Sequence, residues 1–231
     1  MKATIVLLTY TSAERFQQRM KELNQWTRGY EAEILPVLNG VRDSGYGLAL
    51  ALILSDPAFD ALIRPLALPE NRGFAGGMNA GAALAQGEII ILLSDDVVVR
   101  GDFIGPISDA LAHQPSAVVC KHVNDAPSGW NIFGDLVVPY PDGFLLAFRR
   151  GTWDALCGFD ENFTPAGFED VDLGYRARQM GFPFVALPTI PVDHPQPGRT
   201  SPYDKERFDR CVRMKALFAL KHGLVNKPEV P

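Results

Sequence analysis

Apolar and polar residues along the chain follow two alternating patterns, one typical of buried strands and one typical of amphipathic helices. Runs rich in β-branched and aliphatic residues predict strands at 3–10, 31–38 and 88–95. Between these strands, helices are predicted at 13–26 and at 46–63, the second with a break near Pro57. A short extended segment is predicted at 64–69, followed by a helix in the second half of 71–87. This alternation predicts an α/β fold, with an open, mostly parallel sheet and helices on both faces.

The second half of the chain alternates less regularly and includes a Gly/Pro-rich region at 125–143. Strands are predicted at SAVVCKHV, DGFLLAFRR and PFVALP, and helices at 102–114, at 169–181 and from a capped start at Ser201–Asp204 to about residue 222. The chain has no internal repeat, low-complexity tract or obvious linker. We therefore expect one domain over residues 1–231.

Composition and charge narrow the class of protein. With 231 residues the chain can bury a core without disulfides, and its net charge of -5 argues against a nucleic-acid-binding protein. The three cysteines have no metal-finger or CxxC spacing, so a reducing cytoplasm is the expected location. ATIVLLTY after Lys2 has the length of a signal-peptide core, but the helix pattern that follows at once favours a first buried strand. No apolar run reaches the ~18 residues that cross a bilayer.

The glycine-rich stretch NRGFAGGMNAG allows two interpretations. It is no Walker A loop, because Ala82 and Ala83 stand where Lys and Ser/Thr are required, and it lacks the GxGxxG spacing. Its small residues favour close packing of a helix on a sheet, or access of a nucleotide to a helix N-terminus. Because Asp95 follows about twenty residues later, an NAD(P)-binding dehydrogenase stays open as an alternative.

Two carboxylates end the strand IILLSDDV. Ligands of open α/β sheets collect at the carboxyl ends of strands, where Asp95 and Asp96 lie. Such a pair is costly to bury without a cation, and Mg²⁺ or Mn²⁺ accepts one or two carboxylates together with substrate phosphates. The alternative is an ordinary loop in which one Asp caps the next helix.

A second acidic cluster, Phe168–Asp172, opens a predicted helix about seventy residues later. Acids in a first helical turn also simply complement the helix dipole. Here the cluster follows GFDENF and precedes Arg176 and Gly181 on the same helix. His194, directly after a late strand, is a possible metal ligand or a structural histidine.

Three segments together resemble the inverting GT-A glycosyltransferases of family 2. They are VLLTYTSAERF, NRGFAGGMNAGAALAQGEIIILLSDDV and GFDENFTPAGFEDVDLGYRARQMG, in this order. The resemblance implies a Rossmann-like GT-A fold with a twisted sheet. It also implies a nucleotide-sugar-binding half at 1–100, an acceptor and catalytic half at 101–200, and a C-terminal helix and tail at 201–231.

The resemblance assigns roles to individual residues. It places Thr9 and Tyr10 at the border of the nucleotide and Asn39 near the base. Arg72 and Asn79 are placed at the diphosphate or ribose, and Ser94 and Asp95 near the ribose or sugar. Ser94, Asp95 and Asp96 stand for the metal-binding DxD element, whose first acid is replaced by Ser94. Asp96 is the implied metal ligand and His194 a further one, while Asp170 is the implied general base with Glu169 as its neighbour.

The implied activity is that of a hexosyltransferase. Mg²⁺ or Mn²⁺ would bridge the phosphates of a nucleoside-diphosphate sugar, and one displacement by a glycan, lipid-linked or other hydroxyl acceptor would invert the anomer. A nucleotide-sugar- or partner-binding protein without turnover is an alternative, because Ser94 departs from the pattern. The acceptor is expected near 125–141 and 196–201, where the rings of Trp130, Phe133 and Tyr140 would stack on a sugar or belong to the core.

The last predicted helix carries a set of basic residues. The set comprises Arg207, Arg210, Arg213, Lys215 and Lys221. It is typical of a solvated helix face, or of a helix that touches an anionic membrane surface. We expect at most peripheral contact with the inner face of the membrane.

Overall fold

A mixed sheet of eight strands forms the centre of the computed structural model, which describes residues 2–10, 12–41, 44–195 and 205–224. The strands of the described chain are, in chain order, β1 (Ala3–Thr9), β2 (Ala32–Asn39), β3 (Leu62–Ile63), β4 (Leu66–Leu68), β5 (Ile89–Ser94), β6 (Val98–Val99), β7 (Val118–Cys120), β8 (Val123–Asn124), β9 (Ile132–Phe133), β10 (Leu136–Val137), β11 (Tyr140–Pro141), β12 (Leu145–Arg149), β13 (Phe184–Ala186) and β14 (Val192–Asp193). The order of strands in the eight-stranded sheet is β13-β7-β12-β5-β1-β2-β3, and β4 also pairs with β2. All pairs in this sheet are parallel except those of β12, which runs antiparallel to β5 and β7.

Helices cover both faces of this sheet. They are α1 (Ala13–Trp26), α2 (Ser44–Ser55), α3 (Gly73–Leu84), α4 (Ile104–His113), α5 (Arg150–Leu156), α6 (Glu169–Gln179) and α7 (Lys205–Lys221). In β5, Ile89, Ile91 and Leu93 pack with α1, α2 and α4, whereas Ile90 and Leu92 pack with α3, α5 and α6. An apolar run without alternation is what a strand buried on both faces requires. The predicted α/β fold with a mostly parallel sheet is confirmed.

Glycines let α3 lie directly on the sheet. A Cβ on Gly77 would come within 2.4 Å of Leu8 Cδ1, and a Cβ on Gly81 within 2.4 Å of Val6 Cγ1. A side chain at either position would require the helix or these buried side chains of the sheet to shift. These glycines of the NRGFAGGMNAG stretch therefore serve close helix–sheet packing.

The structure corrects the predicted elements in two places. The helix expected over 46–63 ends at Ser55, because Asp56 and Pro57 form a turn in which the Asp56 carboxylate accepts the amide of Ala58 at 2.9 Å. The seven residues of α5 are a helix where none was predicted, since so short a segment shows no clear period. The expected helix start at Ser201–Asp204 lies outside the described residues, and α7 is described from Lys205.

A buried ionic network joins α7 to α6. The fully buried carboxylate of Asp172 accepts hydrogen bonds from Lys221 Nζ at 2.6 Å, His222 Nε2 at 2.8 Å and Arg176 Nε at 2.8 Å. Phe218 of α7 packs in an apolar cluster at the start of α6. Among the helices that the structure describes, none is long and apolar enough to cross a membrane.

Candidate active site

Asp95 is held by other protein groups at the carboxyl end of β5. Its buried carboxylate accepts the hydroxyl of Thr9 at 2.5 Å and pairs with Arg15 at 3.4 Å. Burial raises the pKa of Asp95 despite these two partners. Asp95 thus links the ends of β1 and β5 to α1.

Asp96 faces the other way, toward His194. The short antiparallel pair of β6 and β14 brings the two together, with His194 Nε2 3.2 Å from Asp96 Oδ2. The ring of Phe144 stacks on His194 with 4.7 Å between centroids and fixes its plane. Burial opposes ionisation of Asp96, but hydrogen bonds from His194 and Ser94 outweigh it and lower the pKa of this carboxyl.

The chemistry of this pair fits a divalent cation. The second oxygen, Asp96 Oδ1, is buried and has no hydrogen-bond partner within the described part of the chain. In the same part, no three or more His, Cys, Asp or Glu side chains converge on one point. One carboxylate and one imidazole are enough for Mg²⁺ or Mn²⁺ when substrate phosphates supply further ligands. Asp96 and His194 therefore fit a metal that arrives with a phosphorylated substrate.

A cavity of about 1310 Å³ lies beside Asp96 and His194. Five of the predicted site residues contribute to its lining, namely Ser94, Asp96, Glu169, Asp170 and His194. The structure thus brings the predicted metal ligands and the predicted base into one cavity. Further lining residues come from the region 121–144 and from α7.

Glu169 and Asp170 start α6, where a left-handed residue, Phe168 (φ 71°), turns the chain into the helix. The amide of Gly167 donates to the Glu169 carboxylate, and the amide of Val171 donates to Asp170 Oδ1 at 2.8 Å. Burial raises the pKa of Asp170 to about 6. Burial and the charge of Asp170 raise the pKa of Glu169 to about 8.

These values give the two acids different states at neutral pH. At pH 7 Asp170, with a pKa of about 6, is mostly ionised, which suits a general base, whereas Glu169, with a pKa of about 8, is mostly protonated. Gly143 lies against Asp170, since a Cβ there would be 3.1 Å from the Asp170 carboxylate. The acid therefore has a fixed position in the cavity wall.

Apart from Ser94, the residues predicted to bind the nucleotide sugar lie outside the lining of this cavity. Asn39 accepts the Arg72 amide at 2.9 Å and donates to Asn71 and to the Gly73 carbonyl, both at 2.9 Å. Tyr10 is 49% exposed at the end of β1, and Thr9 is bonded to Asp95. Nucleotide contact at Thr9, Tyr10, Asn39 and Asp95 stays a prediction.

Arg72 and Asn79 both contact the loop after α5. Asn79 accepts the amide of Phe159 at 2.9 Å and donates to the Phe159 carbonyl at 2.9 Å and to Glu161 at 3.0 Å. Arg72 pairs with the same Glu161 at 3.0 Å. Both residues therefore hold this loop against α3, and their predicted contact with a diphosphate or ribose stays a prediction.

The first amides of α3 are also occupied by protein groups. The amide of Gly73 donates to Asn71 Oδ1 at 2.9 Å, and the amide of Phe74 donates to the Pro165 carbonyl at 2.8 Å. The helix start thus holds the chain segment before α6 in place. This use differs from the phosphate-binding interpretation of the glycine-rich stretch.

Arg15, Glu161 and Asp172 have roles that sequence reasoning missed. Arg15 follows the helix cap Ser12 by three residues and donates its amide to the Ser12 hydroxyl at 3.2 Å, a capping pattern that the sequence does contain. The partners of Glu161, and the Asp172 partners Lys221 and His222, lie far away in sequence, so no local pattern predicts these contacts.

Comparison with known proteins identifies the family. The family model described as Glycosyl transferase family 2 matches residues 4–157. The uncharacterized glycosyltransferase YfnE of Bacillus subtilis (strain 168) is 28% identical over 120 residues, which are 52% of this chain and 29% of that protein. The chain thus spans less than a third of the length of this relative.

Solved structures share the fold. The mannosyltransferase PcManGT from Pyrobaculum calidifontis, in complex with GDP-Man and Mn²⁺, superposes with a TM-score of 0.71 at 19% identity, covering 97% of this chain and 65% of that chain. GalNAc-T7 with UDP, GalNAc and Mn²⁺ superposes with a TM-score of 0.70 at 15% identity, covering 94% of this chain and 50% of that chain. S. aureus TarS 1-349 in complex with UDP superposes with a TM-score of 0.65 at 16% identity, covering 95% of this chain and 66% of that chain. The fold is that of the GT-A glycosyltransferases, and the chain belongs to glycosyl transferase family 2.

Proposed function

We propose that this protein is an inverting, divalent-metal-dependent hexosyltransferase that moves a sugar from a nucleoside-diphosphate sugar to a hydroxyl acceptor. One observation carries the proposal: Asp96, with a buried carboxylate oxygen that lacks a partner among the described residues, shares a cavity with the raised-pKa acid Asp170. A cation site and a base on one cavity are what single displacement at a phosphate-activated sugar needs. Family membership argues against the NAD(P)-dependent dehydrogenase alternative.

Asp96, His194 and Asp170 have separate roles in the proposed reaction. Asp96 and His194 would hold Mg²⁺ or Mn²⁺, which stabilises negative charge on a departing diphosphate when it is bound. Asp170 takes the proton of the acceptor hydroxyl while that oxygen bonds to the anomeric carbon. The bond from the anomeric carbon to the phosphate oxygen breaks, and its electron pair leaves with the nucleoside diphosphate. One such displacement inverts the anomeric configuration.

The relatives support the donor class. The solved structures of PcManGT, GalNAc-T7 and TarS contain GDP-Man, UDP with GalNAc, and UDP, and the first two also contain Mn²⁺. For this chain we infer a nucleoside-diphosphate sugar without naming the base or the sugar. The acceptor hydroxyl would approach from the side of the cavity lined by 121–144 and α7.

Calorimetry with nucleotides tests this proposal. UDP and GDP are titrated into the wild type and the Asp96→Asn variant, each with Mn²⁺ and with EDTA. We expect one nucleotide to bind the wild type only with Mn²⁺, and Asp96→Asn to lose roughly tenfold or more in affinity, since charge-assisted contacts are worth about 1.5–3 kcal/mol. Equal binding with EDTA would remove the metal from the proposal, and binding without any turnover of UDP- or GDP-sugars would favour a protein that only binds.

A further inference from the structure

The first half of α7 forms one wall of the cavity that contains Glu169 and Asp170. Arg207, Phe208 and Arg210 contribute to this wall, with Arg207 and Arg210 spaced three residues apart on the same side of the helix. Two guanidinium-bearing residues therefore lie on the cavity that contains the proposed base. Of the other members of the basic set, Arg213 is exposed, Lys215 donates to the Gly129 carbonyl and Lys221 donates to Asp172.

Arg210 differs from other basic side chains of the cavity. Lys121 pairs with Asp193 at 3.5 Å, and His122 Nδ1 lies 3.1 Å from Asp142. The Nε of Arg210 is buried and has no hydrogen-bond partner among the residues that the structure describes. The charge of Arg210 lowers the pKa of Glu169, but burial outweighs it and raises this pKa to about 8, so Glu169 is mostly neutral at pH 7. Arg210 thus places on the cavity wall a guanidinium whose Nε–H is accepted by no described residue.

An exposed aromatic pair lies beside this arginine. Trp130 and Phe208 meet edge to face with 5.8 Å between ring centroids, are 37% and 47% exposed, and both line the cavity. Phe133, by contrast, is buried in the core and cannot stack on a ligand. Rings that are partly open in a polar cavity offer an apolar surface, which the C–H face of a sugar ring matches.

Hydrogen bonds hold this wall in place. Asn131 is fully buried and its side chain accepts the amide of Ser128 at 2.8 Å and donates to the Ala126 carbonyl at 3.2 Å, which shapes the loop that carries Trp130. Lys215 of α7 donates to the carbonyl of Gly129 in the same loop at 2.7 Å. The loop and the helix are therefore joined, and a ligand between them meets a preorganised surface.

We propose that the acceptor is an acidic saccharide, whose carboxylate or phosphate is bound by Arg210 and whose ring packs on Trp130. A guanidinium recognises both anions through paired hydrogen bonds, so the two share one site. A saccharide held this way presents its hydroxyl groups to the cavity that contains Asp170. This inference rests on the proposed function, since it names the acceptor class for the same cavity.

Calorimetry with simple sugars tests the inference. Glucose, glucuronate, glucose 6-phosphate and dodecyl phosphate are titrated into the full chain saturated with Mn²⁺ and the nucleotide that binds, so that the donor phosphate site is filled. The variants are Arg210→Gln, Trp130→Ala and, as a matched control, Arg213→Gln, because Arg213 is exposed on the same helix and outside the cavity lining.

We expect at least one acidic sugar to bind roughly tenfold or more tightly than glucose, because hydrogen bonds between a guanidinium and an anion are stronger than those between neutral groups. Arg210→Gln should remove this preference, and Arg213→Gln should keep it. Trp130→Ala should weaken the binding of every sugar. Comparison of glucuronate with glucose 6-phosphate shows which anion the site prefers.

Equal binding of glucose and both acidic sugars, or equal effects of Arg210→Gln and Arg213→Gln, would overturn the inference. Binding of dodecyl phosphate alone would also overturn it, because the anion would then belong to a lipid and not to a saccharide. If no nucleotide binds with Mn²⁺, the proposed function fails and this inference fails with it. If a nucleotide binds but acidic sugars show no preference, only this inference fails.

Discussion

Replacing Asp170 by Asn should lower turnover and raise stability at the same time. The raised pKa of Asp170 means that the folded protein holds this proton more tightly than the unfolded chain does. Ionisation of Asp170 therefore costs stability as the pH rises from about 4, and the full cost is present above its pKa in the folded state. The neutral asparagine side chain of the variant avoids this cost and still accepts the Val171 amide.

The size of the effect follows from the pKa of Asp170. A change of this pKa from 3.8 to about 6 corresponds to at most roughly 3 kcal/mol at pH 8. The residue is half-buried by its accessible surface, which reduces this figure. We expect Asp170→Asn to gain about 1–3 kcal/mol at pH 8 and close to nothing at pH 4. The melting temperature should rise by about 2–4 °C for each kcal/mol in a chain of this length.

Asp172 provides the matched control on the same helical turn. Asp172 is fully buried and accepts hydrogen bonds from Lys221, His222 and Arg176. Asp172→Asn should therefore lower the free energy of unfolding by roughly 3–5 kcal/mol. Turnover of Asp170→Asn should fall about 10²–10⁴-fold, the usual contribution of a general base. Urea unfolding at pH 4 and pH 8 and single-turnover kinetics measure both quantities. Unchanged turnover, or a less stable Asp170→Asn at pH 8, would refute the reasoning.

The remaining predictions concern the neighbouring acid and the packing of α3. Glu169→Gln should retain turnover within several-fold, because the wild-type side chain is mostly protonated at pH 7; kcat/KM against pH should keep its rise near pH 6 and lose any change near pH 8. A profile without the rise near pH 6 would contradict the role of Asp170. Gly81→Ala should cost about 1–3 kcal/mol in urea unfolding, because its Cβ would clash with Val6, whereas Gly47→Ala has free space and should not destabilise. Equal stability of the two variants would contradict the packing argument.

The sequence predicted those parts of the fold that depend on local pattern. The buried run of β5 and the acids that follow it are contiguous, so the carboxyl end of a central strand was predictable at Ser94–Asp96. The acids at the start of α6 were predictable for the same reason, because helix starts have local signals. The order of three separate segments then indicated the family.

Contacts between distant segments could not be predicted from the sequence. His194 reaches Asp96 only because β14, two residues long, pairs with β6 across more than ninety residues. A two-residue strand has no period to detect. The bonds of Asn79 to the loop at Phe159 and Glu161 bridge about eighty residues in the same way. The cavity was therefore predictable in its acids and not in the groups that orient them.

The side of the cavity formed by α7 was the least predictable part. The basic residues of this helix have the same spacing on a solvated surface, on a membrane-bound helix and on a cavity wall. The packing of Phe218 and the bonds of Asp172 to Lys221 and His222 place α7 against α6. That placement is a tertiary fact, fixed by a buried charge on another helix.

We propose single displacement at an anomeric carbon, assisted by a base in the Asp96–Asp170 cavity. Proton NMR of donor hydrolysis tests this mechanism most directly: the wild type is mixed with Mn²⁺ and an α-linked donor, UDP-glucose or GDP-mannose, and the first sugar released is observed before it mutarotates. We expect release of the β anomer, and we expect this release to be lost with EDTA and in the Asp170→Asn variant. Initial release of the α anomer, or hydrolysis that persists in both controls, would contradict it.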